Sequence, residues 1–268
     1  MRIEFTKMTA AGNDYVYVDC TRRESLPFDP GKLARAVSPR RTSVGADGLV
    51  LICADGDSDA RMRMFNADGS EGLMCGNALR CVTRYVFDRG ICVKRNMEIA
   101  TASGVRRTSV SPDGEITAEM GKAVFRRDLR AAIRGRVWEV TALSVGNPHA
   151  VVFGAEPALV DLGAIGPAFE NAPVFGERVN AEFVKKTGAD SLEMRVWERG
   201  SGETLSCGTG ACAAAAASVR RGLFPAGSEI GIRLPGGELR VRCTPEYDLF
   251  LSGPADYVYD GVFYYDQD

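Results

Sequence analysis

Residues 63–76 read Arg63-Met64-Phe65-Asn66-Ala67-Asp68-Gly69-Ser70-Glu71-Gly72-Leu73-Met74-Cys75-Gly76. At an offset of 132 the chain reads Arg195-Val196-Trp197-Glu198-Arg199-Gly200-Ser201-Gly202-Glu203-Thr204-Leu205-Ser206-Cys207-Gly208. Arg, Glu, Leu, Cys and Gly fall in register, as does an aromatic residue (Phe65, Trp197). The register continues outward. Arg89-Gly90 maps onto Arg221-Gly222 and Met120-Gly121 onto Ser252-Gly253, while Gly12-Asn13-Asp14 answers Gly146-Asn147-Pro148 at an offset of 134, the drift expected of one small indel. Matches in one order along the chain identify an internal duplication.

Local patterns agree. Ile3–Phe5, Tyr15–Val18, Leu49–Ile52 and Arg61–Phe65 read as strands. Asp29-Pro30 supplies an N-cap and first-turn proline for a helix through Val37. A second helix follows Cys75 through Val86 and stops near Gly90. In the other half, Val137–Leu143, Val151–Phe153, Glu182–Lys185, Leu192–Trp197, Leu239–Cys243 and Leu249–Leu251 read as strands, with a helix from about Gly208 to Arg220. This predicts two α/β halves of like fold, 1–118 carrying Cys75 and 119–254 carrying Cys207, joined near residues 118–136. The aromatic, β-prone tail, about 255–268, is expected to return to the first half as a strand. The substrate site is expected between the duplicated halves.

Composition narrows the function classes. At 268 residues the chain has room for two domains, and 45% hydrophobic with 25% charged residues is ordinary for a soluble globular protein. A formal net charge of -2 leaves no basic excess for phosphates, so nucleic acid is not an expected partner. Met1–Asp19 lacks the pattern of a secretory leader, and the longest small-apolar run, Ala211–Val219, is too short for a bilayer; no membrane association and a cytoplasmic location are expected.

Eight cysteines are present, none in a CxxC pair, beside a single histidine, which argues against a zinc site; no metal is expected. Most of the cysteines should be small buried hydrophobes: Cys20, Cys53, Cys92 and Cys243 have no motif around them, and Cys81 and Cys212 fall inside the two helices. Cys75 and Cys207 differ. Each precedes a glycine at the start of a helix, where unpaired N–H groups and the helix dipole favour a thiolate and can hold a carboxylate. Two such thiols on opposite sides of one ligand suit stereoinversion at Cα: one removes a proton and the other returns one to the opposite face. Oriented amides would stabilise the enolate-like charge without a cofactor.

In these residues the chain resembles the diaminopimelate epimerases. The likeness spans nearly the whole length and is carried by Lys7-Met8, Gly12-Asn13-Asp14-Tyr15, Phe65-Asn66-Ala67-Asp68-Gly69-Ser70, Met74-Cys75-Gly76-Asn77, Gly146-Asn147-Pro148-His149, Arg178-Val179-Asn180, Glu198-Arg199-Gly200 and Cys207-Gly208-Thr209-Gly210. The resemblance implies an α+β fold of two pseudo-symmetric halves, each a β-structure around a central helix. It also implies a homodimer, and interconversion of LL- and meso-2,6-diaminopimelate in lysine and peptidoglycan precursor biosynthesis without pyridoxal phosphate, metal or other cofactor. It assigns Cys75 and Cys207 as the acid and base thiols, with Glu198 and His149 as polar residues beside the reacting centre. Gly76, Asn77, Gly208 and Thr209 would hold the reacting α-carboxylate, and Asn13, Asn66, Asn147, Asn180, Glu198 and Arg199 would bind the substrate. Thr9-Ala10-Ala11 departs from the family's His-Gly-x, although Gly12-Asn13-Asp14 is kept.

Taken singly these residues have plainer readings: Asn13 and Asn66 as turn residues, Arg199 as a solvated charge, His149 as a local cap. Two other functions fit less well, a related two-thiol racemase for another amino acid and a thiol redox or binding protein. The lack of CxxC argues against the second.

Overall fold

The computed structural model describes residues 1–23 and 25–266 and divides into two compact units, residues 1–118 with the chain from Gly253 onward, and Glu119–Ser252. The first begins with a hairpin, β1 (Arg2–Ala10) and β2 (Asn13–Cys20). Its two-residue loop, Ala11-Gly12, has φ of 48° and 90°, the left-handed pair that matches the twist of the flanking strands. The segment that departs from the family pattern thus holds an alanine where a Cβ is costly by about 1–2 kcal/mol. Helix α1 (Pro30–Val37) follows, with Asp29 accepting from the Lys32 N–H at 2.8 Å. It buries Leu33, Ala34 and Val37 against β3 (Gly48–Cys53) and β4 (Ala60–Asn66). β3 runs parallel to β2 and antiparallel to β4.

β4 turns back into the short β5 (Glu71–Gly72), and here the duplicated Arg and Glu meet: Arg63 Nε lies 2.8 Å from Glu71 Oε1. Helix α2 (Gly76–Asp88) starts at Cys75, and β6 (Asn96–Thr101), β7 (Gly104–Val110) and β8 (Ile116–Lys122) complete the pattern. α2 packs against β1, β2, β4, β6 and β7, so the sheet curls round it. This explains why even Arg80 of α2 is fully buried, its guanidinium spent on Gly76 O, Asn77 Oδ1 and Pro254 O.

The second unit repeats this order. β9 (Val124–Ile133) pairs with β10 (Arg136–Ser144), which forms a hairpin with β11 (Pro148–Phe153). Helix α3 (Leu162–Glu170) leads to β12 (Asn180–Lys186), parallel to β11. β13 (Ser191–Glu198) and β14 (Gly202–Thr204) form the turn-back, again closed by the duplicated pair, Arg195 and Glu203 at 2.7 Å. Helix α4 (Gly208–Arg220), of the same length as α2, precedes β15 (Glu229–Leu234), β16 (Gly237–Cys243) and β17 (Asp248–Gly253). α4 touches β10, β11, β12, β13, β15 and β16. Its run of alanines, all buried, lets strands approach on every side.

β18 (Asp256–Tyr264) pairs antiparallel with β1 in the first unit, as β9 pairs with β10 in the second. The tail thus supplies the strand that β9 supplies by preceding its hairpin. The last positions of the strand expected over 255–268, Gln267 and Asp268, lie outside the described residues. Each unit is thus α+β, a mixed sheet around a central helix with a second helix outside.

Two groups of elements were not foreseen from local pattern. Strands β7 and β9 are rich in arginine and largely exposed, and register with their neighbours places them. Strands β6, β8 and β15 are short, and β8 and β15 alternate, burying Ile116, Ala118 and Met120 and Ile230, Ile232 and Leu234. Helix α3, Leu-Gly-Ala-Ile-Gly-Pro-Ala-Phe-Glu, has poor helix formers and an internal proline. Asp161 caps it through the Ala164 N–H at 3.1 Å, and Phe169, fully buried, packs edge-on against Trp138 and Phe183. Burial in that aromatic cluster outweighs the propensity cost.

Candidate active site

The duplicated cysteines take equivalent positions. Cys75 and Cys207 are the N-cap residues of α2 and α4, both with extended backbone (φ −132° and −133°). The Cys207 side chain caps its helix through the Gly210 N–H, whereas Cys75 makes no side-chain cap hydrogen bond to its own.

In the first unit Cys75 is half-buried, and Gly76 and Asn77 open the helix. Asn77 Nδ2 lies 2.5 Å from Asn13 Oδ1, and Asn77 Oδ1 accepts from Arg80 at 2.7 Å. Asn13 in turn donates to Asp47 Oδ2 at 3.2 Å, and Asp47 also takes the Asp14 N–H at 3.1 Å. Asp14 is held by Lys7 and Arg40, each at 2.5 Å. Burial alone would raise the Asp14 pKa, but the hydrogen bonds and charges of Arg40 and Lys7 outweigh it and keep the carboxyl below its ordinary value. Asn13 is thus fixed from two sides. Asp47, Arg40 and Arg80, which do this, carry no motif that would single them out. Asn66 stands apart, exposed in the β4–β5 turn with Nδ2 on Ser70 Oγ at 2.9 Å.

Cys81 is buried, its Sγ directed at Thr9 O (3.6 Å), and burial pushes its thiol up to about 12. It is a neutral packing thiol. Cys212 is likewise fully buried.

In the second unit, hydrogen bonds link most of the expected residues. Cys207 Sγ accepts the Gly210 N–H at 3.3 Å, lies 3.5 Å from Thr209 Oγ1, and is hydrogen-bonded to Glu198. Asn147 Nδ2 reaches Thr209 Oγ1 at 3.4 Å, and Asn147 Oδ1 is 2.9 Å from His149 Nε2. His149 Nδ1 is 2.7 Å from Glu182 Oε1, both side chains fully buried. Asn180 donates to Pro148 O and accepts the Arg199 N–H at 2.8 Å. Glu170 fastens the same turn, accepting from Gly200 N (2.9 Å), Trp197 Nε1 (2.7 Å) and Arg178. The Arg199 side chain is left exposed, with no ion-pair partner among the described residues.

Burial, then the charges of Glu198 and Glu182, push the Cys207 pKa well above the usual thiol value, against the Thr209 and Gly210 hydrogen bonds. Glu198 is raised too, chiefly by burial, although Thr204 and Cys207 bond to it. Both groups are thus held toward their protonated forms relative to the same groups in water. Gly208 opens α4, and Gly210 is required by space: a Cβ there would stand 2.9 Å from Glu182 Oε1 and 3.2 Å from Cys207 Sγ.

In the second unit, Glu182 and Glu170 are the supporting residues that sequence reading missed. A glutamate set between Ala181 and Phe183-Val184 in β12 was the available signal for the first. Removing Glu182 leaves a fully buried imidazole nitrogen without its partner. Glu182→Ala should cost about 2–5 kcal/mol in urea unfolding, and Glu182→Gln distinctly less. Equal, near-zero effects would mean that His149 does not depend on this contact.

A sequence profile described as Diaminopimelate epimerase matches residues 5–126 and 141–258. Among similar curated proteins, the diaminopimelate epimerase of Desulforudis audaxviator is 43% identical over 97% of this chain and 98% of its own. That of Phocaeicola vulgatus is 42% identical over 97% of each. Solved structures share the fold at low identity. A Bacillus anthracis phenazine biosynthesis protein of the PhzF family covers 99% of this chain and 100% of its own, with a TM-score of 0.74 at 16% identity. A hydroxyproline epimerase from Agrobacterium vitis covers 98% and 91%, with a TM-score of 0.69 at 14% identity. With paired cysteine-capped helices in a duplicated α+β chain and close relatives over nearly its full length, this protein is an isomerase and belongs to the diaminopimelate epimerase family.

Proposed function

We propose that this protein interconverts LL- and meso-2,6-diaminopimelate by moving the proton at one Cα between two thiols, Cys75 and Cys207, with neither pyridoxal phosphate nor metal. The observation that carries the reading is the repeated placement of a cysteine as N-cap of each central helix, followed by glycine. One thiol serves each face of the carbon. The α-carboxylate lies on the helix-start N–H groups at Gly76-Asn77 and Gly208-Thr209, which also stabilise the charge that builds up when Cα–H breaks. Cys207 rests as a thiol and donates its proton, so in that form of the enzyme Cys75 is the base. In the reverse direction the Cys207 thiolate left by that donation takes the Cα proton and Cys75 returns one; Glu198, bonded to Cys207, positions its sulfur, and His149 is held against Asn147 to keep this polar set in place.

Asn13, Asn66, Asn147, Asn180 and Arg199 bind the rest of the substrate, Arg199 through the distal carboxylate. The product is a precursor for lysine and peptidoglycan. No helix among the described residues is long and apolar enough to cross a membrane, and we place the enzyme in the cytoplasm. We also read it as a homodimer. β18 exposes Tyr257, Val258, Tyr259, Val262 and Tyr264 across its two faces, apolar groups that a second copy could cover.

The test is isotopic. With two bases, product formed in deuterated water from LL-diaminopimelate acquires solvent deuterium at Cα in its first turnover, while unreacted substrate stays protiated. Early deuterium in the recovered substrate would point to a single exchanging base and end the two-thiol reading. Turnover of proline or histidine in place of diaminopimelate would overturn the substrate assignment.

A further inference from the structure

Cys20 and Cys53 stand opposite each other at the ends of parallel strands β2 and β3. Neighbouring strands run about 4.8 Å apart, and paired residues point to the same face. That separation lies within the Cα range of about 4.4–6.8 Å that a disulfide spans. Both side chains face one hydrophobic cluster, Cys20 within it and Cys53 packed against it, and the two thiols are hydrogen-bonded to each other. Cys20 is buried, while Cys53 is half-buried and reachable. Arg61, directly across β4 from Cys53, and Arg63 on the same strand supply positive potential, with Asp19 opposing.

We propose that Cys20 and Cys53 form a redox-active dithiol that undergoes exchange with low-molecular-weight disulfides, a thiol site separate from Cys75 and Cys207. Cys53 is the attacking sulfur: the hydrogen bond from Cys20, then the arginines, bring it below the usual thiol value, to about 7, where a thiolate is available. Cys20, raised by the same bond and by burial, is the resolving thiol. The Cys53 thiolate attacks one sulfur of the small disulfide, forming a mixed disulfide and expelling one thiolate. The Cys20 sulfur then attacks Cys53 Sγ, its proton passing to the second small thiolate as that leaves. Two protein thiols and one small disulfide become one protein disulfide and two small thiols.

The bridge would close residues 21–52, which contain α1, into a loop. An extended strand rises about 3.3 Å per residue, so the steps from Asn13 to Cys20 place the pair about 23 Å from the Asn13 end of β2. Oxidation at this pair therefore leaves the Asn13 end of the strand untouched.

The experiment uses the wild-type chain and oxidised glutathione as the probe, followed by alkylation and peptide mass mapping without reductant. The expected result is a peptide pair joined through Cys20 and Cys53, reversed by reductant, while Cys81, Cys212 and Cys243 are recovered alkylated. In Cys20→Ser the same treatment should leave Cys53 as a lasting mixed disulfide with glutathione. Recovery of Cys20 and Cys53 in the wild type as alkylated thiols, or joined to other cysteines, overturns the proposal. The wild-type map decides this even if Cys20→Ser does not fold, and its outcome is independent of the isomerase reading.

Discussion

Cys75→Ala and Cys207→Ala should each lower epimerisation by at least about 10³–10⁴-fold, the upper range for a proton-transfer group and equivalent to about 4–5 kcal/mol in the barrier. Each face of Cα needs its own proton carrier, and alanine offers none. The fold should survive. Both residues are N-caps of largely buried helices; Cys75 has no side-chain cap hydrogen bond to lose, and losing the one Cys207 makes costs about 1 kcal/mol. Cys207→Ala also removes the acceptor for the Gly210 N–H, so it should be the less stable of the two. Cys81→Ala and Cys212→Ala are the controls. Both thiols are buried packing groups, and both variants should keep their turnover while losing some stability. The measurement is turnover of LL-diaminopimelate beside a urea unfolding curve for each variant. Near-wild-type turnover in either Cys75→Ala or Cys207→Ala would sink the two-thiol mechanism.

Arg199→Met should reduce kcat/KM for diaminopimelate by at least a few hundredfold. The two ends of the substrate are chemically alike, so the enzyme must hold the distal end while it reacts at the other. Asn180 accepts the Arg199 N–H and Glu170 accepts that of Gly200, so the backbone of this turn is fixed. The guanidinium itself is exposed and has no ion-pair partner among the described residues. The expected loss rests on the bound substrate shutting the carboxylate and guanidinium away from water together; removing one partner of such a desolvated pair costs about 3–5 kcal/mol, against about 1 kcal/mol or less if the pair stayed exposed. Arg199→Lys should also be poor, because an ammonium cannot make the planar two-point contact. Arg199→Met should leave the isotope exchange chemistry of the thiols in place. Unchanged kcat/KM would show that Arg199 is not the distal clamp and would favour a smaller amino acid as substrate.

The duplication, and with it the pairing of Cys75 with Cys207, was legible because it is written in residue identities at a constant offset. The two central helices were legible at their starts because a Cys-Gly step ends a polar loop and begins a long apolar or alanine-rich stretch. The same reading treated Arg63 with Glu71 and Arg195 with Glu203 only as matching letters. In the fold they are ion pairs that close the turn before each cysteine, so their repetition reflects structure rather than chemistry. Cys20 and Cys53 had no motif around them and read as ordinary packing, since a β2–β3 register is invisible until the strands are paired.

Residue identities by themselves thus determined the repeat, the two helix-capping thiols, most of the strands with a strong hydrophobic alternation, and the family likeness. These are local or periodic signals, and each is readable from a short window. Only the tertiary structure decided the helix of Leu162–Glu170, the surroundings of His149, and the pairing of Cys20 with Cys53. In each case the deciding energy comes from groups distant in sequence: Phe169 against Trp138 and Phe183, His149 against Glu182, one strand end against another. Burial and hydrogen bonding between distant residues outweigh local propensity by amounts that no window of sequence contains.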